Sequence, residues 1–551
     1  MAMAVVLAAV AVYDVTQKQR AIPRVFPVVG HLRFLLEAIG PELRQYIVTD
    51  NDHERPFSRD QRRWIYASAK RENTYFGFGT DNDLEHTPGY LIVKQSTFPL
   101  REPRVGEPSY DDRNALPCAK VLGGPRGRTH AFRMRSVVNI SSMSYGSLSS
   151  AAVEALNAGA RIDGCLQGSG EGSVTKYHDR GGDLVWQIGT GYFGCRDHAG
   201  NFSLPRFLDT IGTHDKIRAV EIKLSQGAKP GLGGVLPGEK VTKEIAAIRG
   251  VQAGVDCISP STHSAFHDAD SLLDFVELLA SETGLPVGIK SAVGDDTFFR
   301  ELAHLMADGT RGVDWLTIDG GEGGTGAAPL AFSDHVALPF KIGFARVYGI
   351  FADAGVTDRL VFIGGGRLGL PQRALLAFAL GADGINVGRE AMLSIGCIQA
   401  QRCHTGRCPT GVTTNSPWRM RGLDPELKSV RVAHYLEQLR KEILELSRAC
   451  GQPHPALVGP EHLEVIDENF GSRGLAHVFG YQPGWGMPGP DATAAIRLLM
   501  ADGGRLAAAA LPPMPGAAGT EAAGNGAPAR ASSGTGRTDD PEPTADPEPT
   551  A

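Results

Sequence analysis

Long runs of basic residues are absent from this chain, in which 55 lysines and arginines stand against 61 aspartates and glutamates, for a formal net charge of −6 over 551 residues. Proteins that bind nucleic acids or anionic surfaces usually carry clustered positive charge. The composition therefore gives no support for a nucleic-acid partner. A hydrophobic content of 42% and a charged content of 21% are instead typical of a globular protein with a sizeable core.

Long apolar runs are also lacking, since the run at the amino terminus covers about 13 residues. Crossing the hydrocarbon core of a bilayer takes about 17 to 25 residues. Lys18, Arg20 and Arg24 follow this run rather than precede it, which is not the order of a cleaved signal peptide. We expect a cytoplasmic protein in which residues 1–15 form a short apolar segment. Peripheral membrane contact and a truncated membrane helix stay open as alternatives.

Cysteine is sparse, and eight of them cannot form a disulfide scaffold in a chain of this length. Three are clustered with C-x5-C-x4-C spacing, at Cys397, Cys403 and Cys408. Three thiolates in one loop can hold an iron–sulfur cluster, and a proline follows the last one, as in bacterial ferredoxin loops. Zinc bound with His404 is the competing metal site, but His404 directly follows Cys403, and neighbouring residues rarely both reach a tetrahedral ion. Unliganded buried cysteines are the third interpretation.

The ends of the chain differ from its middle. Residues 511–551 contain no aromatic residue and end in a near repeat of Asp-Pro-Glu-Pro-Thr-Ala, which predicts a disordered tail. Residues 16–135 are predicted to form a helical extension, with one helix capped by Ser58 and Gln61. Residues 416–510 are predicted to be a helical packing segment, because Leu, Glu and Arg recur there at helical spacing.

Residues 136–415 alternate short β-branched runs with helical stretches, which is typical of a parallel sheet built from βαβ units. Eight candidate strands can be counted, beginning at Val137, Cys165, Ala219, Asp256, Pro286, Asp314, Arg359 and Gly384. The series has the length of a (β/α)8 barrel, about 250 residues. A doubly wound sheet needs a glycine-rich turn after its first strand, and residues 141–146 do not supply one. The prediction is therefore an α/β fold, a TIM barrel flanked by the two helical segments.

The glycine excess, 69 residues in all, falls largely after these strands, where barrel enzymes place their active sites. Gly364, Gly365, Gly366 and Arg367 follow the seventh candidate strand, and Gly388 and Arg389 follow the eighth. These are the positions at which such barrels often bind a phosphate group. Lys290 ends the fifth strand, where an anion or a flavin carbonyl would meet it. The alternative is a lysine whose ammonium group reaches solvent.

Five ordered sequence words within residues 139–415 resemble the synthase domain of the glutamate synthase family. They are SMSYGS, GSGEG, IKLSQGAKPG, GGEGGTGAAP and a stretch from GC to CPTGV, beginning at Ser142, Gly168, Ile222, Gly320 and Gly396. The segments YDV and ERPFSRDQ before the barrel resemble the stand-alone FMN-binding members of that family.

The resemblance implies an FMN flavoprotein with a 3Fe-4S cluster on Cys397, Cys403 and Cys408 that aminates 2-oxoglutarate reductively to glutamate. Strand ends and resemblance together give these candidate flavin-binding residues: Ser142, Met143, Ser144, Gln226, Lys290, Gly323, Gly324, Thr325, Gly326, Gly365, Gly366, Arg367, Gly388 and Arg389.

The candidate catalytic residues suit a dianionic oxo acid. Lys223 and Lys229, with Gln226 between them, provide positive charge and an amide in one loop. Glu171, between two glycines, is expected to order ammonia or the proton of an imine, as the resemblance implies. A solvated loop glutamate is the alternative.

Two departures from the large multidomain enzyme bear on partners. No cysteine precedes Cys118 to serve as a glutaminase nucleophile, and no second dinucleotide fingerprint is present. We expect free ammonia or a separate glutaminase subunit, and a ferredoxin-like or reductase electron donor. Because the loop from Ser259 to Phe266 also departs from the family pattern, an enzyme for another 2-oxo acid or an alkylamine is a second hypothesis. An electron-transfer subunit of a multi-subunit glutamate synthase is a third.

Overall fold

The computed structural model describes residues 1–468 and 471–503, all within one packed unit, Met1–Pro512. The tail predicted to be disordered, residues 511–551, lies outside the described residues. The described helices are α1 Ala2–Thr16, α2 Ala21–Val25, α3 His31–Leu43, α4 Arg59–Lys70, α5 Ser150–Asp163, α6 Leu204–Thr213, α7 Lys243–Arg249, α8 Ala269–Thr283, α9 Thr297–Met306, α10 Leu330–His335, α11 Phe340–Asp353, α12 Pro371–Ala379, α13 Arg389–Ser394, α14 Pro417–Met420, α15 Pro425–Ala449, α16 Leu475–Phe479 and α17 Pro490–Ala501. The described strands are β1 Leu91–Val93, β2 Val121–Leu122, β3 Phe132–Arg133, β4 Val138–Ile140, β5 Gln167–Gly168, β6 Leu184–Ile188, β7 Ile217–Lys223, β8 Val235–Leu236, β9 Cys257–Ile258, β10 Val287–Ser291, β11 Trp315–Asp319, β12 Val361–Gly365, β13 Gly384–Val387, β14 Leu463–Ile466 and β15 Ser472–Gly474.

Eight parallel strands close into a barrel in the order β4, β5, β6, β7, β10, β11, β12, β13. This confirms the predicted (β/α)8 fold. The register places Lys223 beside Lys290 on β7 and β10, and Asp319 beside Gly365 on β11 and β12. Because parallel strands end at the same edge, these residues share the carboxyl-terminal mouth of the barrel.

Two of the strand assignments need correction. Asp256 does not begin a barrel strand, because β9 pairs with β8 as a small antiparallel hairpin outside the barrel. The third barrel strand is β6 instead, which the sequence analysis missed because Trp186 and the buried Gln187 interrupt its β-branched pattern. The predicted count included the strand at Asp256 wrongly and omitted β6, and these two errors cancel before the fifth barrel strand. The seventh and eighth strands were therefore numbered correctly.

The flanking helices pack on the outside of the barrel. The capping box of Ser58 and Gln61 begins α4 as predicted, and α4 packs against α13 and α15. The long helix α15 also packs on α5 and α12, in line with its predicted packing role. Among the helices of the described residues, none is both long and apolar enough to cross a membrane.

Candidate active site

A cavity of about 1080 Å³ lies at the carboxyl-terminal mouth of the barrel. It brings together nearly all the site residues selected from the sequence: Ser142, Met143, Ser144, Glu171, Lys223, Gln226, Lys229, Lys290, Gly323, Gly324, Thr325, Gly326, Gly366, Arg367, Gly388, Arg389, Cys397, Cys403 and Cys408. The exception is Gly365, which is buried within β12 rather than on the cavity wall. A Cβ at Gly365 would lie 2.9 Å from Asp319 Oδ1, so this glycine makes room for the carboxylate instead of facing a ligand.

The end of β7 and the loop after it supply one cluster of charged side chains in the cavity. The Lys223 ammonium donates to Glu171 Oε1 at 2.8 Å and to Gln226 Oε1 at 2.7 Å. Lys229 is 3% exposed and has no ion-pair partner among the described residues. Glu171 therefore neutralises one of the two lysines and leaves the other charge uncompensated.

The pKa values of these groups follow from that pairing. Burial opposes ionisation of Glu171, but attraction by Lys223 and the hydrogen bond from it lower the pKa of the carboxyl group. Burial, together with repulsion from Lys223, lowers the pKa of Lys229 to about 8. At neutral pH the site thus holds a carboxylate and two ammonium groups, which is a net positive charge in a poorly solvated place.

A buried histidine contacts the backbone at the end of β7, where Lys223 lies. His263 is hydrogen-bonded to the Lys223 carbonyl oxygen at 2.9 Å and to the Tyr192 hydroxyl at 3.0 Å. Burial lowers the pKa of His263 to about 4, so the ring is neutral. Within the loop that departs from the family pattern, Ser259 lines the cavity, whereas His263 does not. Where the loop differs from the family pattern at His263, the histidine holds the backbone of Lys223 in place and does not line the cavity.

Lys290 lies on the floor of the cavity beside two carboxyl groups that the sequence analysis did not select. Its ammonium is 3.3 Å from Asp319 Oδ2, which also accepts a hydrogen bond from Gly227 N at 2.9 Å. Glu221, fully buried on β7, has its pKa raised to about 7 by burial. The signal that could have found Asp319 is its place at the end of the sixth barrel strand.

Guanidinium groups gather on the other side of the barrel, after β12 and β13. Arg367 and Arg389 stack on the ring of Phe57, with their Cζ atoms 5.2 Å and 5.3 Å from its centroid. Arg389 donates to the Glu322 carbonyl oxygen, whereas Arg367 Nε is buried and has no hydrogen-bond partner among the described residues. Burial and repulsion from Arg373 and Arg389 lower the pKa of Arg367 to about 10. This is an unsatisfied cationic site suited to an anion.

Gly170 holds the loop of Glu171 against the loop after β4. Its φ is +74°, and a Cβ there would lie 2.3 Å from Ser144 N. Only glycine fits both this left-handed backbone conformation and this approach. The glutamate and the Ser142–Ser144 segment are therefore held side by side.

The cysteine loop follows α13 and borders the same cavity. Burial raises the pKa of Cys397 to about 12. Burial also opposes ionisation of Cys408, but hydrogen bonds from Thr410 and Thr413 together lower its pKa. In the described part of the chain, the three sulfur atoms are not all within 4.8 Å of one another. Thiolates around one tetrahedral zinc would be closer than that, given a Zn–S bond of about 2.3 Å.

The amino-terminal extension takes part in the site, which the sequence analysis missed. Gln399, in the cysteine loop, accepts from Phe57 N at 3.0 Å and donates to Glu54 Oε1 at 2.9 Å. The Tyr66 hydroxyl donates to the Cys397 carbonyl oxygen at 2.8 Å. The extension thus joins the cysteine loop to the two arginines. The ERPFSRDQ segment was the available signal, but its spacing gives no hint of these contacts.

Residues 121–453 match the family model described as the conserved region in glutamate synthase. The glutamate synthase large subunit-like protein YerD of Bacillus subtilis (strain 168) is 36% identical over 494 residues, which cover 84% of this chain and 93% of that protein. The archaeal glutamate synthase (NADPH) of Methanocaldococcus jannaschii is 35% identical over 326 residues, or 58% of this chain. The match spans 60% of that archaeal relative.

A solved flavocytochrome b2 variant with sulfite bound is 12% identical to this chain, with a TM-score of 0.40 over 85% of this chain and 92% of its own. At this score the likeness adds nothing to the topology that the chain itself displays. The family match covers more than half of the chain, and the match to YerD extends across most of both proteins. The chain belongs to the glutamate synthase family of oxidoreductases.

Proposed function

We propose that this chain catalyses the reductive amination of 2-oxoglutarate to glutamate, with FMN bound at the mouth of the barrel. Family membership supports an oxidoreductase acting on amino donors and supports FMN as its cofactor. The observation that carries the proposal is the cavity, which is lined from opposite sides of the barrel by two separate cationic groups. One follows the fourth strand and the other follows the seventh and eighth.

The group after the seventh and eighth strands fits the phosphate of FMN. Arg367 and Arg389 would bind it together with the backbone of Gly366 and Gly388, and the unsatisfied Arg367 Nε supports this assignment. Lys290 would face the flavin ring. Bound FMN supplies the electron uptake and hydride transfer that amino-acid side chains lack.

The group after the fourth strand fits the oxo acid and the nitrogen. Lys229, which has no ion-pair partner among the described residues, would bind a carboxylate of 2-oxoglutarate, and Gln226 would donate to that carboxylate through its amide. Glu171 would accept hydrogen bonds from ammonia and hold a proton at the nitrogen, because its carboxyl group is ionised. The space beside Glu171 would be closed by Ser142, Met143 and Ser144.

The cysteine loop fits an iron–sulfur cluster of the 3Fe-4S type, held by Cys397, Cys403 and Cys408. A cluster would supply electron transfer toward the flavin site, whose arginines are joined to the cysteine loop through Phe57 and Gln399. The same loop exposes Arg402, His404 and Arg407, which we call the basic rim. Such a rim would suit an acidic, ferredoxin-like donor, so we propose a separate carrier or reductase subunit as electron source.

The amino-terminal helices fit peripheral contact with an anionic bilayer. Nearly every residue of α1 is exposed, and α3 presents an exposed apolar face of Leu32, Leu35, Leu36, Ile39 and Leu43. Residues 1–43, which include all three helices, contain four basic side chains against three acidic ones. Of the acidic ones, Asp14 is buried against Val28 N and His31, and Glu37 pairs with Arg33 at 2.7 Å. Flotation with phosphatidylglycerol vesicles should retain this chain, and Leu35→Glu should release it. Binding unchanged by Leu35→Glu would contradict this contact, with Leu498→Glu on α17 as the control.

The experiment that tests the function is anaerobic purification with analysis of flavin, iron and sulfide, followed by amination assays. We expect FMN, and glutamate formed from ammonia and 2-oxoglutarate with a reduced low-potential donor, but none formed from glutamine by the isolated chain. Failure to bind FMN would contradict the proposal. A preference for another oxo acid or for an alkylamine would overturn the substrate, and reduction of both centres without amination would indicate an electron-transfer subunit.

A further inference from the structure

One buried lysine outside the oxo-acid site has no anionic partner among the residues that the structure describes. Lys240 follows β8, is 2% exposed, and donates from its ammonium to the carbonyl oxygens of Ser147 at 2.6 Å and Cys403 at 3.3 Å. Its side chain lies against the turn between two cysteines, since a Cβ on Gly406 would be 3.6 Å from Lys240 Cγ. The lysine therefore joins the loop after β4 to the cysteine loop.

Within the described residues, the charge of Lys240 is uncompensated. Across the described chain, no carboxylate forms an ion pair with it, and the charged neighbour that acts on it is another cation, Arg249. An ammonium group buried without a counter-ion is strongly destabilising unless an anion binds nearby.

Lys120, whose side chain is 14% exposed, shows how a largely buried ammonium group is usually paired. Its ammonium has two carbonyl acceptors, at 2.9 Å and 3.1 Å, and also Asp383 Oδ2 at 3.0 Å. Lys240 has the carbonyl acceptors without the carboxylate. The potential anions that act on it are the thiols of Cys403 and Cys408.

We infer that Lys240 is the counter-ion of the cysteine site, and that its fixed positive charge stabilises the reduced, more negative state of the iron–sulfur cluster. The inference rests on the cluster proposed above. The backbone carbonyl of Lys240 also accepts a hydrogen bond from Asn415 Nδ2 at 2.8 Å, and Asn415 donates to Gly146 O at 3.2 Å. The position of Lys240 is therefore fixed by contacts with both loops. The role is one of positioning and electrostatics, without contact to substrate.

The test is a dye-mediated redox titration of the cluster in the complete, anaerobically prepared protein. Lys240→Met removes the charge and keeps the length of the side chain, so the reduced-to-oxidised ratio at a fixed potential should fall about tenfold or more, a shift of about 59 mV for one electron. Lys240→Arg should stay near the wild type. Arg407→Gln removes a solvated positive charge between the same cysteines and should change the potential much less, because water screens it.

A second measurement covers the case in which Lys240→Met does not assemble the cluster. Thermal unfolding of chelator-treated, cluster-free protein should show Lys240→Met to be at least as stable as the wild type, because the variant lacks the uncompensated charge. If Lys240 only joins the two loops by hydrogen bonds, the substitution will destabilise cluster-free and loaded protein alike, and the inference is wrong. Equal potentials in loaded wild type and Lys240→Met would also overturn it. Absence of iron and sulfide from the wild type would instead contradict the proposed cluster.

Discussion

The two ends of the barrel differ in how their largely buried cations are paired. At the amino-terminal ends of the strands, Arg128 donates to Glu277 at 2.6 Å and to Asp314 at 3.0 Å, and Lys120 pairs with Asp383. At the carboxyl-terminal mouth, Lys229 and Arg367 have no carboxylate partner within the described residues. Paired cations serve the fold, whereas unpaired buried cations mark the places where an anionic ligand completes the site.

The pKa values record the same difference. Burial opposes the charge of Lys120 and Arg128, yet their carboxylate partners raise the pKa of both. At the mouth, burial and repulsion from neighbouring cations outweigh the attraction of nearby carboxylates, and the pKa falls to about 8 for Lys229 and to about 10 for Arg367. Two lysines at the mouth do have carboxylate partners: Lys223 pairs with Glu171 and Lys290 pairs with Asp319, and the pKa of Lys290 is raised.

The largest effect is expected at the cysteine loop. Cys403→Ser should abolish the cluster and donor-dependent reduction of the flavin, because a 3Fe-4S centre needs all three thiolates. FMN should remain bound, since the cysteines follow the barrel strands and do not form them. Iron, sulfide and flavin analysis of the anaerobic variant measures this. Zinc in place of iron in the wild type would contradict it, and Cys450→Ser, outside the loop, is the control.

Removing the carboxylate partner of a cation that lies away from the mouth should lower the free energy of unfolding. Arg440 donates to Asp163 Oδ1 at 2.6 Å between α15 and α5, and both side chains are buried. Asp163→Asn leaves the guanidinium without a counter-ion and should lower the free energy of unfolding by about 3–5 kcal/mol. Denaturant titration measures this. Asp296→Asn, which breaks the exposed pair with Arg300, should change stability little, and equal effects of both would contradict the comparison.

An unpaired cation at the mouth should behave differently. Arg367→Met should weaken FMN by about 10- to 150-fold, the value of a charge-assisted hydrogen bond of about 1.5–3 kcal/mol. The flavin-free protein should not become less stable, since the uncompensated charge is gone. Fluorescence titration of FMN and thermal unfolding together measure both quantities. A large loss of stability with unchanged FMN affinity would show that Arg367 serves the fold.

Loss of the proton from Lys229 should change two quantities with pH, the free energy of unfolding and the affinity for 2-oxoglutarate. Its pKa is about 8 in the folded chain against an ordinary 10.5. Between these values the unfolded state binds more protons, so the free energy of unfolding of the ligand-free protein should rise with pH. Affinity for 2-oxoglutarate should fall over the same range as the ammonium loses its charge. Lys229→Met should flatten both profiles, and a wild type without either slope would exclude a charged Lys229.

The smallest effect on binding is expected for Glu171→Gln. The amide can still accept the hydrogen bond from Lys223, so the KM for 2-oxoglutarate should stay near that of the wild type. Turnover should fall, because the charge that orders ammonia and holds the proton is lost. Steady-state kinetics with ammonia separate the two parameters. A raised KM with unchanged turnover would make Glu171 a support for Lys223 alone.

The sequence was sufficient for the fold class and for most of the cavity wall, because both depend on local signals at strand ends. Lys223 and Lys290 lie at the carboxyl-terminal ends of strands, and Arg367 follows one closely, so their placement at the mouth could be predicted. The contacts of Phe57 and Gln399 could not, since they join residues 342 positions apart. Lys240 was missed because its lack of a partner becomes visible only when every neighbouring carboxylate has a position.

The measurement that tests the central claim most directly is calorimetric binding of 2-oxoglutarate to the FMN-loaded protein, in the wild type and in Lys229→Met. If the unpaired ammonium exists to bind the oxo acid, the substitution should weaken 2-oxoglutarate by about 10- to 150-fold. FMN affinity should change far less, and the ligand-free protein should be no less stable. Unchanged 2-oxoglutarate binding, or parallel losses of oxo acid, flavin and stability, would show that the unpaired charge holds the loop and does not bind the ligand.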